Sequence, residues 1–172
     1  MATSLKNLSE YDSSTVPNAE EYKFGIVVAD WNDDITHTLL EGCANALEEH
    51  GTKPENIKII HVPGSYELPY GAQLLLDDKK FDAVIAIGAV ITGETKHDEY
   101  ICNAVSQGVM QLGLTYKTPV IFGLLTPRNM EQAKDRAGGK HGNKGVEAAI
   151  TAIKLVALAE EMNKKPARKI GW

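Results

Sequence analysis

The residues best suited to chemistry lie in one stretch, Gly88-Ala89-Val90-Ile91-Thr92-Gly93-Glu94-Thr95-Lys96-His97-Asp98-Glu99-Tyr100-Ile101-Cys102-Asn103. It leaves an apolar, β-branched run (Ala83-Val84-Ile85-Ala86-Ile87), crosses a polar loop, and enters a segment of helical period. His97 stands at that helix start, and an imidazole with an ordinary pKa of about 6.5 can give and take a proton near neutral pH. In open α/β sheets ligands bind beyond the carboxyl ends of the strands, where helix N-terminal amides also favour anions. Two more sets follow apolar runs in the same way: Trp31, Asn32 and Asp33, and Ser65, Tyr66 and Glu67. An exposed indole beside a carboxylate and a histidine suits a planar heterocycle, which stacks on the ring while the carboxylate accepts its hydroxyl or amine groups.

Other chemistries fail on spacing. The stretch Gly138-Gly139-Lys140-His141-Gly142-Asn143-Lys144-Gly145 does not match GxxxxGK[ST] and lies between two helical segments, so its glycines read as a helix C-cap and turn. Arg136 and Lys140 beside it are cations of the kind that grip phosphate, the guanidinium bidentately. His37, His50, His61, His97 and His141 show neither HExxH nor another ligand spacing, so no metal is expected. Gly64-Ser65-Tyr66 lacks the frame of a nucleophile elbow. Cys43 and Cys102, without CxxC, read as buried thiols. A nucleotide cofactor would need a phosphate loop after the first strand, where Ala29-Asp30-Trp31-Asn32-Asp33 stands instead.

The elements that must position these residues follow from periodicity. Phe24–Ala29, Ile57–Val62, Ala83–Ile87 and 119–125 are strand-like runs. Helical spacing follows each: from Asp33 or Asp34 to Gly51, around Leu68 to Leu76, from Asp98 to Leu112, and from Thr126-Pro127 to Gly138-Gly139. A last Ala-rich helix spans Val146 to Met162. This β-α-β-α-β-α-β-α-α order predicts an α/β fold, a four-stranded parallel sheet in a three-layer α/β/α sandwich. With 172 residues, 43% hydrophobic and 24% charged, one soluble domain is expected. Residues 1–22 read as a polar arm, 23–163 as the domain, and 164–172 as a basic tail. The longest apolar run, Ala83 to Ile91, is too short to span a bilayer, and the net charge of -5 argues against nucleic acid. A cytoplasmic protein without a signal peptide is expected.

Three blocks carry a resemblance over about residues 23 to 160. They are Val62-Pro63-Gly64-Ser65-Tyr66-Glu67-Leu68-Pro69, Gly88-Ala89-Val90-Ile91 leading to Gly93-Glu94-Thr95-Lys96-His97, and Asp135-Arg136-Ala137-Gly138-Gly139-Lys140 followed by Gly142-Asn143-Lys144-Gly145. In this order they resemble the lumazine synthase family. The resemblance implies a flavodoxin-like fold and the joining of 5-amino-6-(D-ribitylamino)uracil to 3,4-dihydroxy-2-butanone 4-phosphate, with loss of phosphate and water and no cofactor. By motif, Trp31 takes the place of the ring that stacks on the pyrimidine. Ser65, Tyr66 and Glu67 match the segment that holds the ribityl chain and ring edge, and Ala89, Val90 and Ile91 match the backbone that reads the uracil. Glu94 and Thr95 match the binding place of the phosphate-bearing substrate, Arg136 its phosphate-gripping arginine with Lys140 nearby, and His97 the general acid/base. A carboxylate at Glu94 would repel phosphate, so Thr95 is the better contact.

The resemblance also implies a homopentamer with active sites between subunits, Phe122 closing the pocket of a neighbour. Some members close twelve pentamers into a 60-subunit shell, which the short Gly138 to Gly145 connection resembles, and riboflavin synthase is a possible partner inside it. The N-terminal arm would then add to a neighbour's sheet. A shell-forming or flavin-binding paralogue without catalysis is the competing reading, and the presence of His97, Arg136 and Glu67 speaks against it.

Overall fold

A computed structural model describes residue 7 and residues 9–164. In chain order the elements are β1 (Phe24–Ala29), α1 (Asp33–Glu49), β2 (Ile57–Val62), α2 (Leu68–Asp77), β3 (Ala83–Ala89), α3 (His97–Tyr116), β4 (Val120–Leu125), α4 (Met130–Asp135), β5 (Ala137–Gly139), β6 (Gly142–Asn143) and α5 (Lys144–Lys164). Strands β2-β1-β3-β4, in that order, form one parallel sheet. Helices α1 and α5 cover one face and α2 and α3 the other, so the expected three-layer α/β/α sandwich is the fold.

The two central strands explain why their sequences are apolar without alternation. Phe24, Ile26 and Val28 point into the layer with α1 and α5, Val27 and Ala29 into the layer with α2 and α3, and no position of β1 or β3 is exposed. Burying side chains such as Phe24, Leu39, Ile85 and Ile153 contributes about 1.5–3 kcal/mol each. The helices sit close because two glycines allow it. A Cβ on Gly71 would lie 2.5 Å from Val27 Cγ2, and one on Gly145 would overlap the Leu39 carbonyl, where α5 crosses α1. Asn143 fixes that crossing: its Oδ1 accepts the Gly145 N–H at 2.8 Å, capping α5, while its Nδ2 donates to the Thr38 carbonyl at 2.9 Å.

Three local features differ from the periodicity. The N-cap of α1 is Asn32, not Asp33 or Asp34, and it adopts the left-handed conformation (φ 64°) that asparagine tolerates better than most residues. Helix α4 starts at Met130 rather than Thr126, because the Asn129 side chain accepts the Gln132 N–H at 2.9 Å and Gln132 Oε1 accepts the Arg128 N–H at 3.0 Å. The glycine stretch is a small antiparallel hairpin of β5 and β6, with Gly138 (φ 104°) and Gly142 (φ 81°) supplying backbone that other residues rarely adopt.

The expected arm is docked on its own chain from Ser9 onward. Ala19 is fully buried against α1, its N–H donating to the His50 carbonyl at 2.8 Å and its carbonyl accepting the Thr52 hydroxyl at 3.3 Å. Residues 9–22 hold a 3-10 turn at Ser13–Thr15 and no strand. Residues 1–6 and 8 of the arm, and 165–172 of the basic tail, lie outside the described residues. Among the described residues no helix is long and apolar enough to cross a membrane.

Candidate active site

All the strand-to-helix loops of a parallel sheet leave one edge, and the register here aligns the ends: Val28 of β1 lies beside His61 of β2 and Ile87 of β3. These ends open onto a cleft of about 690 Å³. Trp31 and Asn32 line it after β1, Gly64, Ser65, Tyr66 and Glu67 after β2, Ala89, Val90 and Ile91 after β3, and His97, Asp98, Tyr100 and Ile101 at the start of α3. Its floor is main chain and buried side chains. Its walls are exposed aromatics, with Trp31 73%, Tyr66 60% and Tyr100 71% exposed.

Backbone and amide bonds set the loop carrying Trp31. The Asp30 N–H donates to the Val62 carbonyl at 2.8 Å and the Trp31 N–H to the Pro63 carbonyl at 3.2 Å. Asn32 Nδ2 donates to the Ala89 carbonyl at 3.0 Å, tying this loop to the end of β3. Val90 N–H is committed to the Leu125 carbonyl at 2.8 Å and Thr92 N–H to the Pro127 carbonyl at 3.0 Å, so Ile91 carries the N–H of this stretch that has no partner among the described residues. Ser65 adds a second open group. It is 6% exposed, yet its hydroxyl oxygen has no hydrogen-bond partner among the described residues. Gly88 makes room for it, since a Cβ there would lie 2.7 Å from Ser65 Oγ. Buried hydroxyls without partners are rare, and one lining a cleft is a bond available to a ligand.

His97 opens α3 with its ring exposed and its backbone N–H donating to Thr95 Oγ1 at 3.4 Å. Among the described residues, the cleft's charged side chains are Glu67 and Asp98, and no lysine or arginine lines it. The described residues of one chain therefore offer a stacking face, open hydrogen-bonding groups and an accessible imidazole, and bring no cation to the cleft.

The sequence profile of the 6,7-dimethyl-8-ribityllumazine synthase family matches residues 21–160. The chain belongs to this family. It is 57% identical over 156 residues to the 6,7-dimethyl-8-ribityllumazine synthase of Parabacteroides distasonis, covering 91% of this chain and 98% of that protein. The protein of that name from Cytophaga hutchinsonii is 55% identical over 157 residues (91% and 98%), and the one from Phocaeicola vulgatus 51% identical over 164 residues (95% and 98%).

Set against the roles that this lumazine synthase membership raises, the cleft gathers Trp31, Ser65, Tyr66, Glu67, Ala89, Val90, Ile91 and His97. Glu94 and Thr95 are exposed in the loop before α3 and do not line it. Phe122 lies in β4 beside Ala86, about 10 Å back along the strand from the Ala89 end, and lines a different groove. Arg136 is held at the base of the hairpin, its Nη1 2.7 Å from Glu147 Oε1 and donating to the His141 carbonyl at 2.7 Å. Lys144 Nζ is 3.4 Å from the other oxygen of Glu147. Lys140 pairs with Asp135 at 2.9 Å, and that bond raises its ammonium pKa above the ordinary lysine value. Three residues named in the sequence stretches, but given no role of their own there, act in the cleft: Asn32 as a tether, Tyr100 as a wall and Asp98 as a charge. Tyr100 was readable: it stands three residues after His97, on the same helix face.

Proposed function

We propose that this chain condenses 5-amino-6-(D-ribitylamino)uracil with 3,4-dihydroxy-2-butanone 4-phosphate to 6,7-dimethyl-8-ribityllumazine, releasing phosphate and water, in the cytoplasm. The observation that carries this is the meeting, in one cleft, of an exposed indole, an unpartnered buried hydroxyl, an open main-chain N–H and an accessible imidazole. Trp31 stacks on the pyrimidine. Ile91 N–H and the backbone of Ala89 and Val90 read its edge, while Ser65, Tyr66 and Glu67 hold the ribityl hydroxyls. The substrate's own amine attacks the ketone carbonyl, so the protein supplies no nucleophile. His97 moves protons as the carbinolamine loses water and as phosphate departs. Holding two reactants together supplies the rest of the rate.

The phosphate is handled elsewhere. With no cation among the described residues that line the cleft of one chain, Arg136 and Lys140 act on it from a neighbouring copy, beside Thr95, and Phe122 closes the same shared pocket. An apolar groove between α3, β4 and α5, with Met110, Leu114, Leu158 and Met162 exposed, supports such an assembly, since faces of this kind are covered by partners. The proposed assembly is a homopentamer and, from the short hairpin, its closed 60-subunit shell, with riboflavin synthase as its cargo; light scattering on dilute protein tests the size.

The test of function mixes both substrates with the protein and follows lumazine absorbance and phosphate release. His97→Ala is expected to slow turnover while sparing substrate binding. Unchanged turnover removes His97 from its role, and a silent assay with intact riboflavin binding favours the non-catalytic paralogue.

A further inference from the structure

On the α1 side of the sheet, at its β2 edge, three side chains far apart in sequence meet: Asp30, His37 and His61. The register explains it. His61 lies beside Val28, whose side chain faces α1, and Asp30, two residues beyond Val28, keeps that face; His37 is carried there by the start of α1. One donor atom from each lies within 4.8 Å of the others. His61 Nδ1 is 2.7 Å from Asp30 Oδ1, and the His37 ring meets the His61 ring edge-on, centroids 5.9 Å apart at 84°. His37 has no hydrogen-bond or ion-pair partner among the described residues. The cluster is apart from the cleft, none of whose walls it forms, and at the opposite edge of the sheet from the apolar groove.

We infer that Asp30, His37 and His61 form a binding site for a divalent transition-metal ion of the zinc class. Two imidazoles and one carboxylate are the donor set that such ions take, with water completing four-coordination. Metal bonds of about 2.0–2.2 Å place tetrahedral donors about 3.3–3.6 Å apart. The Asp30–His61 pair, now 2.7 Å apart, must open by about 0.6–0.9 Å and His37 must swing inward, and all three side chains are exposed and free to do so. The ion takes the place of the proton between His61 Nδ1 and Asp30 Oδ1, the ring keeping its proton on Nε2. It would staple edge strand β2 to the start of α1, beside the loop that carries Trp31.

The experiment titrates the full-length, untagged and chelator-treated protein with zinc chloride by calorimetry, and with cobalt chloride by visible absorption. One zinc per chain and a tetrahedral cobalt band are expected. His37→Ala and Asp30→Asn should each weaken zinc binding by about tenfold or more. Both variants keep the lumazine-forming activity of the metal-free protein, which separates this site from the proposed reaction. A wild type that binds no zinc overturns the inference, as does zinc binding of unchanged strength in both variants.

Discussion

Asn32 does two separable things, and two substitutions pull them apart. Its side chain tethers the Trp31 loop to β3 through the Ala89 carbonyl at 3.0 Å, and its backbone sits at φ 64°. Asn32→Gly removes the tether and leaves the left-handed backbone unstrained, so it should cost about 1 kcal/mol, the net worth of a half-buried hydrogen bond. Asn32→Ala loses the same bond and keeps a Cβ in that conformation, which alanine tolerates about 1 kcal/mol less well than asparagine, for a total of about 2 kcal/mol. Urea unfolding at one fixed protein concentration measures the difference, which should be about 1 kcal/mol. The tether has a second readout. If the pyrimidine substrate must re-order a freed loop, that same 1 kcal/mol appears as a rise of about fivefold in its KM, equal in both variants. Equal stability of the two variants would refute the strain argument, and a KM rise confined to Asn32→Ala would refute the tether.

Gly145→Ala should destabilise by about 3 kcal/mol, because its methyl overlaps the backbone carbonyl of Leu39 rather than a movable side chain; thermal unfolding reads it. Arg136→Ala should raise KM for the phosphate-bearing substrate more than it lowers kcat, and Arg136→Lys should rescue it poorly, since the bidentate fork is lost; steady-state kinetics with each substrate varied checks both. Cys43 is fully buried and its thiol pKa is pushed strongly up by that burial, so a thiol reagent at pH 8 should label Cys102 first and Cys43 only on unfolding, as mass spectrometry of timed samples would show.

The sheet was legible because burial on both faces demands uninterrupted apolar runs, and Phe24–Ala29 and Ala83–Ile87 have them. The hairpin was not, since Ala137 to Asn143 is dominated by glycine and polar residues and carries no period of two; its shape comes from positive-φ glycines and from bonds such as Lys144 N–H to the Arg136 carbonyl. The α4 start was hidden by Thr126-Pro127, a stronger-looking signal than the Asn129 cap that acts. At the site, residues within one motif block, such as Ser65 to Glu67, could be placed together by chain alone. Asp30, His37 and His61 could not: no linear spacing encodes a contact that depends on the register between β1 and β2.

The cleft's contrast between floor and walls has a consequence for how substrates bind. Its floor ends the two strands that are buried at every position, and the hydrogen-bonded amides within those strands should exchange with solvent only in global unfolding, unlike the open Ile91 N–H beyond them. Its aromatic walls carry the rotational freedom of Trp31, Tyr66 and Tyr100. The entropy lost on binding therefore falls on a few side chains while the hydrogen-bonding frame pays none, so a ligand rigid enough to seat on that frame gains by stilling rings rather than by moving backbone.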